Sequence, residues 1–202
     1  MKRWRSGLCG LVLAAAMLLT ACGGGNQTEK MSISPAELDN QAQNVADSFA
    51  GDTNLFRYTV NDSIETLSMT VWHYEDGAWE NCGVGEMPIT KVRSGGIGIA
   101  VSGKRFRTVF CDANWKQNAS TLTELDFNST KEMAACASEA EYSMSKEQEI
   151  TANQEILLWA KIGGEESELN STDFRKSKCE AGVAVTATFK AAQTDADEQG
   201  SV

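Results

Sequence analysis

From Phe56 onward, apolar and polar residues alternate in short runs separated by turn residues. A period of two is the mark of strands with one buried face. The clearest run is Leu67 to Val84, where Leu67, Met69, Val71 and His73 alternate with Ser68, Thr70, Trp72 and Tyr74 before Asp76-Gly77. Asp-Gly favours the type I′ hairpin turn, whose central residues both need positive φ. That turn predicts Glu75 opposite Ala78, Tyr74 opposite Trp79, His73 opposite Glu80 and Val71 opposite Cys82. Met69, Val71 and Cys82 then share one face of the hairpin, and Trp72, Tyr74 and Trp79 the other.

A second hairpin is expected over Ile97 to Cys111, turning at Ser102-Gly103, with Ile99 opposite Phe106. Ile97, Val101, Thr108 and Phe110 lie on the same face. Glu155 to Ile162 and Val183 to Phe189 also read as strands, and Leu122 to Phe127 and Ser138 to Met144 carry a weaker strand pattern. Ser129-Thr130-Lys131-Glu132 has the form of a capping box, so a short helix is expected within Lys131 to Ala140. About eight strand candidates broken by turns predict a mainly β chain, a single antiparallel β-sandwich that is immunoglobulin-like in the broad sense. An α+β domain is the second choice. The sandwich is expected over 55–190. A flexible tether covers 22–54, with room for a short helix at 35–50, and a disordered acidic tail covers 191–202.

The chain has 202 residues, 28 acidic and 18 basic, for a net charge of −10. That length suits one domain with a core of its own. The acidic balance argues against a nucleic-acid partner, since phosphate neutralisation needs basic surface. A single histidine excludes every site that needs two.

The first residues change the picture of where this chain works. Lys2, Arg3 and Arg5 lead into an apolar run from Gly7 to Ala21. That run falls short of the roughly 20 residues a spanning helix needs, and reads as a secretory signal. Its end, Leu19-Thr20-Ala21-Cys22, resembles the lipobox of bacterial lipoproteins. The resemblance implies that 1–21 is a signal peptide removed on export and that Cys22 becomes the first mature residue. It also implies a diacylglycerol on the Cys22 sulfur and an acyl chain on the new amino group. Two or three acyl chains anchor a protein stably, so the chain is expected at the extracytoplasmic face of the cell membrane. Removing Lys2, Arg3 and Arg5 and no acid takes the charge from −10 to −13. Such a chain is repelled by anionic lipid. Gly23-Gly24-Gly25-Asn26 and the polar run to Ser34 serve as the tether.

With Cys9 in the signal and Cys22 lipidated, Cys82, Cys111, Cys136 and Cys179 remain. An even number in an exported chain suggests disulfides. Of the three possible pairings, chain order favours Cys82 with Cys111 and Cys136 with Cys179. No Cys-x-x-Cys pair is present, so no metal site is expected, and no cofactor either. Calcium loops, phosphate-binding glycine loops and dinucleotide fingerprints are absent from the sequence. Gly95-Gly96-Ile97-Gly98 opens a strand rather than a helix and is not expected to cradle phosphate. His73 has no nucleophile elbow to serve and reads as a hydrogen-bonded residue at a strand end. Four Asn-x-Ser/Thr sites, at Asn61, Asn118, Asn128 and Asn170, read as chance matches.

Two groups of residues point to binding. Trp72, Tyr74 and Trp79 gather on one hairpin face and could stack on a sugar or a peptide side chain. The competing reading buries that face, because large aromatics usually go inside. Lys91, Arg93, Lys104, Arg105 and Arg107 concentrate basic charge, and Arg105 and Arg107 share a strand face. The sequence therefore points to a non-catalytic, lipid-anchored module that binds an envelope protein or cell-wall glycan. The alternatives are a hydrolase using two carboxylates, drawn from the solvent-facing set Glu139, Glu141, Glu147, Glu149, Glu165, Glu166 and Glu168, and an inhibitor or assembly factor acting through a protein partner.

Overall fold

The Asp76-Gly77 turn forms as the sequence demands. Asp76 has φ 51° and Gly77 φ 85°, and Glu75 faces Ala78, Tyr74 faces Trp79 and His73 faces Glu80. The structure, a computed structural model, describes residues 30–37, 52–102, 105–124 and 136–192. Among them the chain forms eleven strands in two antiparallel sheets. One sheet runs in the order β7 (Gln117–Glu124), β6 (Arg105–Asp112), β5 (Ser94–Ser102), β2 (Asp52–Thr59), β1 (Ser32–Pro35) and β9 (Gln148–Glu149). The other runs β4 (Ala78–Pro88), β3 (Ile64–Glu75), β11 (Ala181–Ala191), β10 (Glu155–Gly164) and β8 (Ser138–Ser143). We call them the β5 sheet and the β11 sheet after strands near their centres.

The two sheets close on one another through the residues of one parity. Phe56, Tyr58, Ile97, Ile99, Phe106 and Phe110 enter from the β5 sheet, and Leu67, Met69, Val71, Leu158, Val183, Val185 and Phe189 from the β11 sheet. Tyr58 meets Phe189 edge to face at 5.4 Å between ring centroids, and Phe106 meets Trp159 at 5.8 Å. Each such side chain taken out of water contributes about 1.5–3 kcal/mol before chain entropy is charged against it. On one flank the sandwich draws tight. A Cβ on Gly83 of β4 would fall 2.7 Å from the Thr123 hydroxyl of β7, so glycine is what lets these edge strands approach.

The predicted β-sandwich is therefore the fold, and several local expectations change. Val71 faces Gly83 rather than Cys82, because the register shifts between Val71 and Trp72. Cys82 is the extra residue of a bulge and is exposed, not a companion of Met69 and Val71. In the second hairpin Ile99 faces Thr108, and Val101 faces Phe106. The turn sits one residue later than expected, beyond Ser102. A shift that moves each pairing by two residues leaves every side chain on its face, so Ile97, Val101, Thr108 and Phe110 share the core side as predicted.

The stretch assigned to the tether contains structure. Ser32–Pro35 is β1, paired on one side with β2 and on the other with β9, and Ile33 is completely buried. The short helix expected at 35–50 begins on strand residue Pro35, and its greater part, 38–50, lies outside the described residues. So do most of the helix expected within 131–140, residues 1–29 with Cys22, and 193–202. Ser138–Ser143, which overlaps the end of that second helix, is strand.

Candidate functional site

The aromatic hairpin face is where the sequence places it, on the outside of the β11 sheet, but the chain itself lies over it. The connection from β10 to β11 folds back across the sheet, and a single 3-10 turn, Phe174–Lys176, carries Phe174 into it. Asp173 caps that turn by accepting the Arg175 backbone N–H. Phe174 is buried against Trp72, Trp79, Leu157, Leu169, Ala160 and Ala184. Its ring stands edge-on to Trp79 at 4.8 Å and tilted against Trp72 at 6.0 Å. Tyr74 meets Trp79 at 5.5 Å. The Met69 and Val71 side of this sheet packs on the sandwich core, and on the other side the connection lies over Trp72 and Trp79.

Polar chemistry fixes the cover. The Arg175 guanidinium lies over the Trp72 ring at 4.1 Å and over Phe174 at 4.3 Å. Its two terminal nitrogens donate to both oxygens of Glu155 at 2.7 and 3.2 Å. Glu155 also accepts the indole N–H of Trp72 at 3.1 Å and the Thr186 hydroxyl at 2.8 Å. Trp72, Tyr74 and Trp79 are each half-buried in this arrangement.

The outer face of the β5 sheet presents the other expected residues. Opposed residues place Arg107 of β6 beside Ala100 of β5 and Leu122 of β7, and Arg105 beside Ser102 and Glu124. Arg105 is held by Glu124 at 3.0 Å. Arg107 is exposed and meets no carboxylate among the described residues. Leu122 is 55% exposed, one of two large apolar side chains exposed among the described residues, the other being Val84 on the β11 sheet. Lys91 and Arg93 of the predicted basic group lie in the connection ahead of β5. Arg93 pairs with Asp62 at 2.7 Å, Lys91 sits in an exposed turn, and Lys104 lies outside the described residues.

Two residues that the sequence reading did not single out complete this face. Arg57 of β2 is opposite Gly96 of β5 and therefore points the same way as Arg107. Trp115, in the turn between β6 and β7, has φ 63°, a conformation uncommon outside glycine. The Asp112 side chain holds that turn by accepting the backbone N–H groups of Asn114 and Lys116. The result brings the indole onto Gly96, where a Cβ would sit 2.6 Å from the ring. The Arg57 guanidinium lies over the same ring at 5.2 Å. Alternation along β2 already places Arg57 outward, but the fold of a tight turn decides where Trp115 goes.

The four described cysteines, Cys82, Cys111, Cys136 and Cys179, form no disulfide, which corrects both expected pairings. Cys111 lies on the outward parity of β6, in the β5 sheet, and Cys82 on the β4 bulge of the β11 sheet, so the first pair sits on separate layers. Cys136 and Cys179 precede β8 and β11, which flank β10 on opposite sides. Burial pushes the Cys179 thiol up to about 11 and also raises Cys111, whose neighbour Asp112 adds to the effect. His73 is buried at the hairpin end with Nδ1 3.6 Å from Glu75. Glu165, Glu166 and Glu180 gather with Lys178 and Cys179 around a hollow of about 190 Å³. All three carboxylates are exposed, and Lys178 holds Glu166 at 2.6 Å.

By architecture the protein is an antiparallel β-sandwich whose β10–β11 connection covers part of one outer sheet face. No family model, no curated protein and no solved structure matches it.

Proposed function

We propose that this protein is a non-catalytic binding module, anchored to the extracytoplasmic face of a bacterial membrane through Cys22, that works through the outer face of its β5 sheet. One observation carries the reading: Arg57, Arg107 and the exposed Leu122 stand together on one sheet face, while the aromatic face is occupied by Phe174 and Arg175.

The test replaces Leu122 with a photo-crosslinking amino acid in the full-length protein in cells. A covalent adduct is expected on illumination, and none with the same probe at Lys146, an exposed residue elsewhere. Equal yields from both positions would remove the assigned face. For the anchor, Cys22→Ala should abolish lipid labelling and release the protein from the membrane fraction. Unchanged labelling would overturn the lipoprotein assignment.

A further inference from the structure

The five arginines among the described residues divide cleanly. Arg93, Arg105 and Arg175 each hold a carboxylate, of Asp62, Glu124 and Glu155, at 2.7, 3.0 and 2.7 Å. Arg57 and Arg107 hold none among the described residues, although the chain carries 28 acidic residues against 18 basic ones. Both point from the outer face of the β5 sheet. Their partners on β5 are Gly96 and Ala100. Two strand spacings and four residues of rise separate them, about 10 Å across and 13 Å along the sheet.

The surface between them is apolar. Leu55, opposite Gly98 on β2, and Val109, opposite Gly98 on β6, are half-buried on the same face. Leu122 stands next to Arg107. An apolar strip with arginines at its ends matches the make-up of protein interfaces, which are rich in arginine and apolar at their centres. A guanidinium also receives a carboxylate through two parallel hydrogen bonds.

We propose that this face receives an acidic segment of a partner protein, with carboxylates on Arg57 and Arg107 and apolar side chains over Leu55, Val109 and Leu122. The inference rests on the binding-face reading above and names its ligand. Peptide is favoured over glycan because the ring of Trp115 is already engaged by Gly96 and Arg57. Trp115 then acts as a positioning residue. Held by the Asp112 turn, it keeps the Arg57 side chain, which has several rotatable bonds, over one place on the sheet.

The experiment uses the full lipidated chain in neutral maltoside micelles and a fluorescein-labelled peptide of Glu-Glu-Leu repeats, read by fluorescence polarisation. Binding is expected, with affinity about tenfold or more weaker for Arg57→Glu/Arg107→Glu, and unchanged for Lys146→Glu. Arg107→Glu alone should lose several-fold, and because that side chain holds no carboxylate among the described residues, the change breaks no ion pair there. Leu122→Ser should weaken the peptide while leaving its salt dependence intact. The proposal is overturned if the wild-type chain fails to bind, or if Arg107→Glu binds as tightly as wild type. It is also overturned if polygalacturonate or glycerol phosphate displaces the peptide as well as unlabelled peptide does. Failure here with a surviving Leu122 cross-link removes the acidic-peptide assignment alone; loss of both removes the face.

Discussion

Arg175 lies over Trp72 and at the same time forks onto Glu155, which accepts the indole N–H of that same tryptophan. Cation, ring and carboxylate form a closed triangle in which each group orients the other two. The Arg175 and Glu155 side chains are 37% and 31% exposed, so solvent screens the ion pair and its share is modest. Stacking and the restraint of the connection add to it.

Arg175→Ala should therefore lower unfolding free energy by about 1–2 kcal/mol, measured by urea denaturation. Arg175→Lys keeps the charge but neither the planar stack nor the fork, and should recover less than half of that loss. Full recovery by lysine would show that charge alone matters there.

Phe174 is the apolar pin of the same connection. Phe174→Ala removes a buried ring from beside Trp72 and Trp79 and should cost about 3 kcal/mol. It should also shift tryptophan emission to the red and raise acrylamide quenching. The same readings on Trp72→Phe/Trp79→Phe identify which signal moved. Unchanged quenching in Phe174→Ala would mean that the two indoles do not depend on this cover.

Much of the sandwich was legible because its signals are local. Asp76-Gly77 dictates a turn through backbone conformation alone, and alternation in β3, β5 and β6 reports one dry face. β1 escaped because Ser32-Ile33-Ser34-Pro35 contains one core residue and ends in proline. The bulge at Cys82 and the cover over Trp72 could not be read either. One depends on how β4 meets its neighbour, and the other on a lone Phe174 in a polar connection whose destination is a tertiary matter. The candidate site was half visible: Arg105 and Arg107 declare their shared face by spacing, whereas Arg57 and Trp115 meet only after β2 and β5 pair.

Tyr58 offers a test of the core. Its hydroxyl is buried without a hydrogen-bond partner among the described residues, and burial, with Cys111 beside it, pushes its ionisation up to about 12. The unfolded chain ionises near its ordinary value of about 10. Its contribution is whole below pH 10 and drains away as pH rises toward 12. Tyr58→Phe should flatten the alkaline loss of stability over that interval. At neutral pH it should be neutral or stabilising by up to about 1–2 kcal/mol, since it removes an unsatisfied polar atom. A loss of stability at neutral pH would show that the hydroxyl has a partner in solution.

The thiols should react in a fixed order. Cys82 is exposed, although burial and the Glu80 and Glu75 carboxylates raise its thiol too, whereas Cys111 is buried and Cys179, half-buried, is pushed up to about 11. A raised ionisation means less thiolate at neutral pH, so slower alkylation. Iodoacetamide labelling of the native chain near pH 8, followed by peptide mass analysis, should mark Cys82 first. Cys179 should lag until the medium is strongly alkaline. If Cys179 labels as fast as Cys82, its burial is not maintained in solution.

β1 also decides how the molecule meets mechanical load. The chain enters the fold through Ser32–Pro35, which is hydrogen-bonded on one side to β2 and on the other to β9. Bonds in an antiparallel ladder run across the strands. A pull along β1 from its N-terminal end loads both ladders in shear, all bonds at once, instead of peeling them singly. Lys30, paired with Glu147 at 3.1 Å just ahead of the strand, is the first contact among the described residues to take the strain. A protein held at its N-terminus while something tugs on its far face would keep its grip on the core through this four-residue strand.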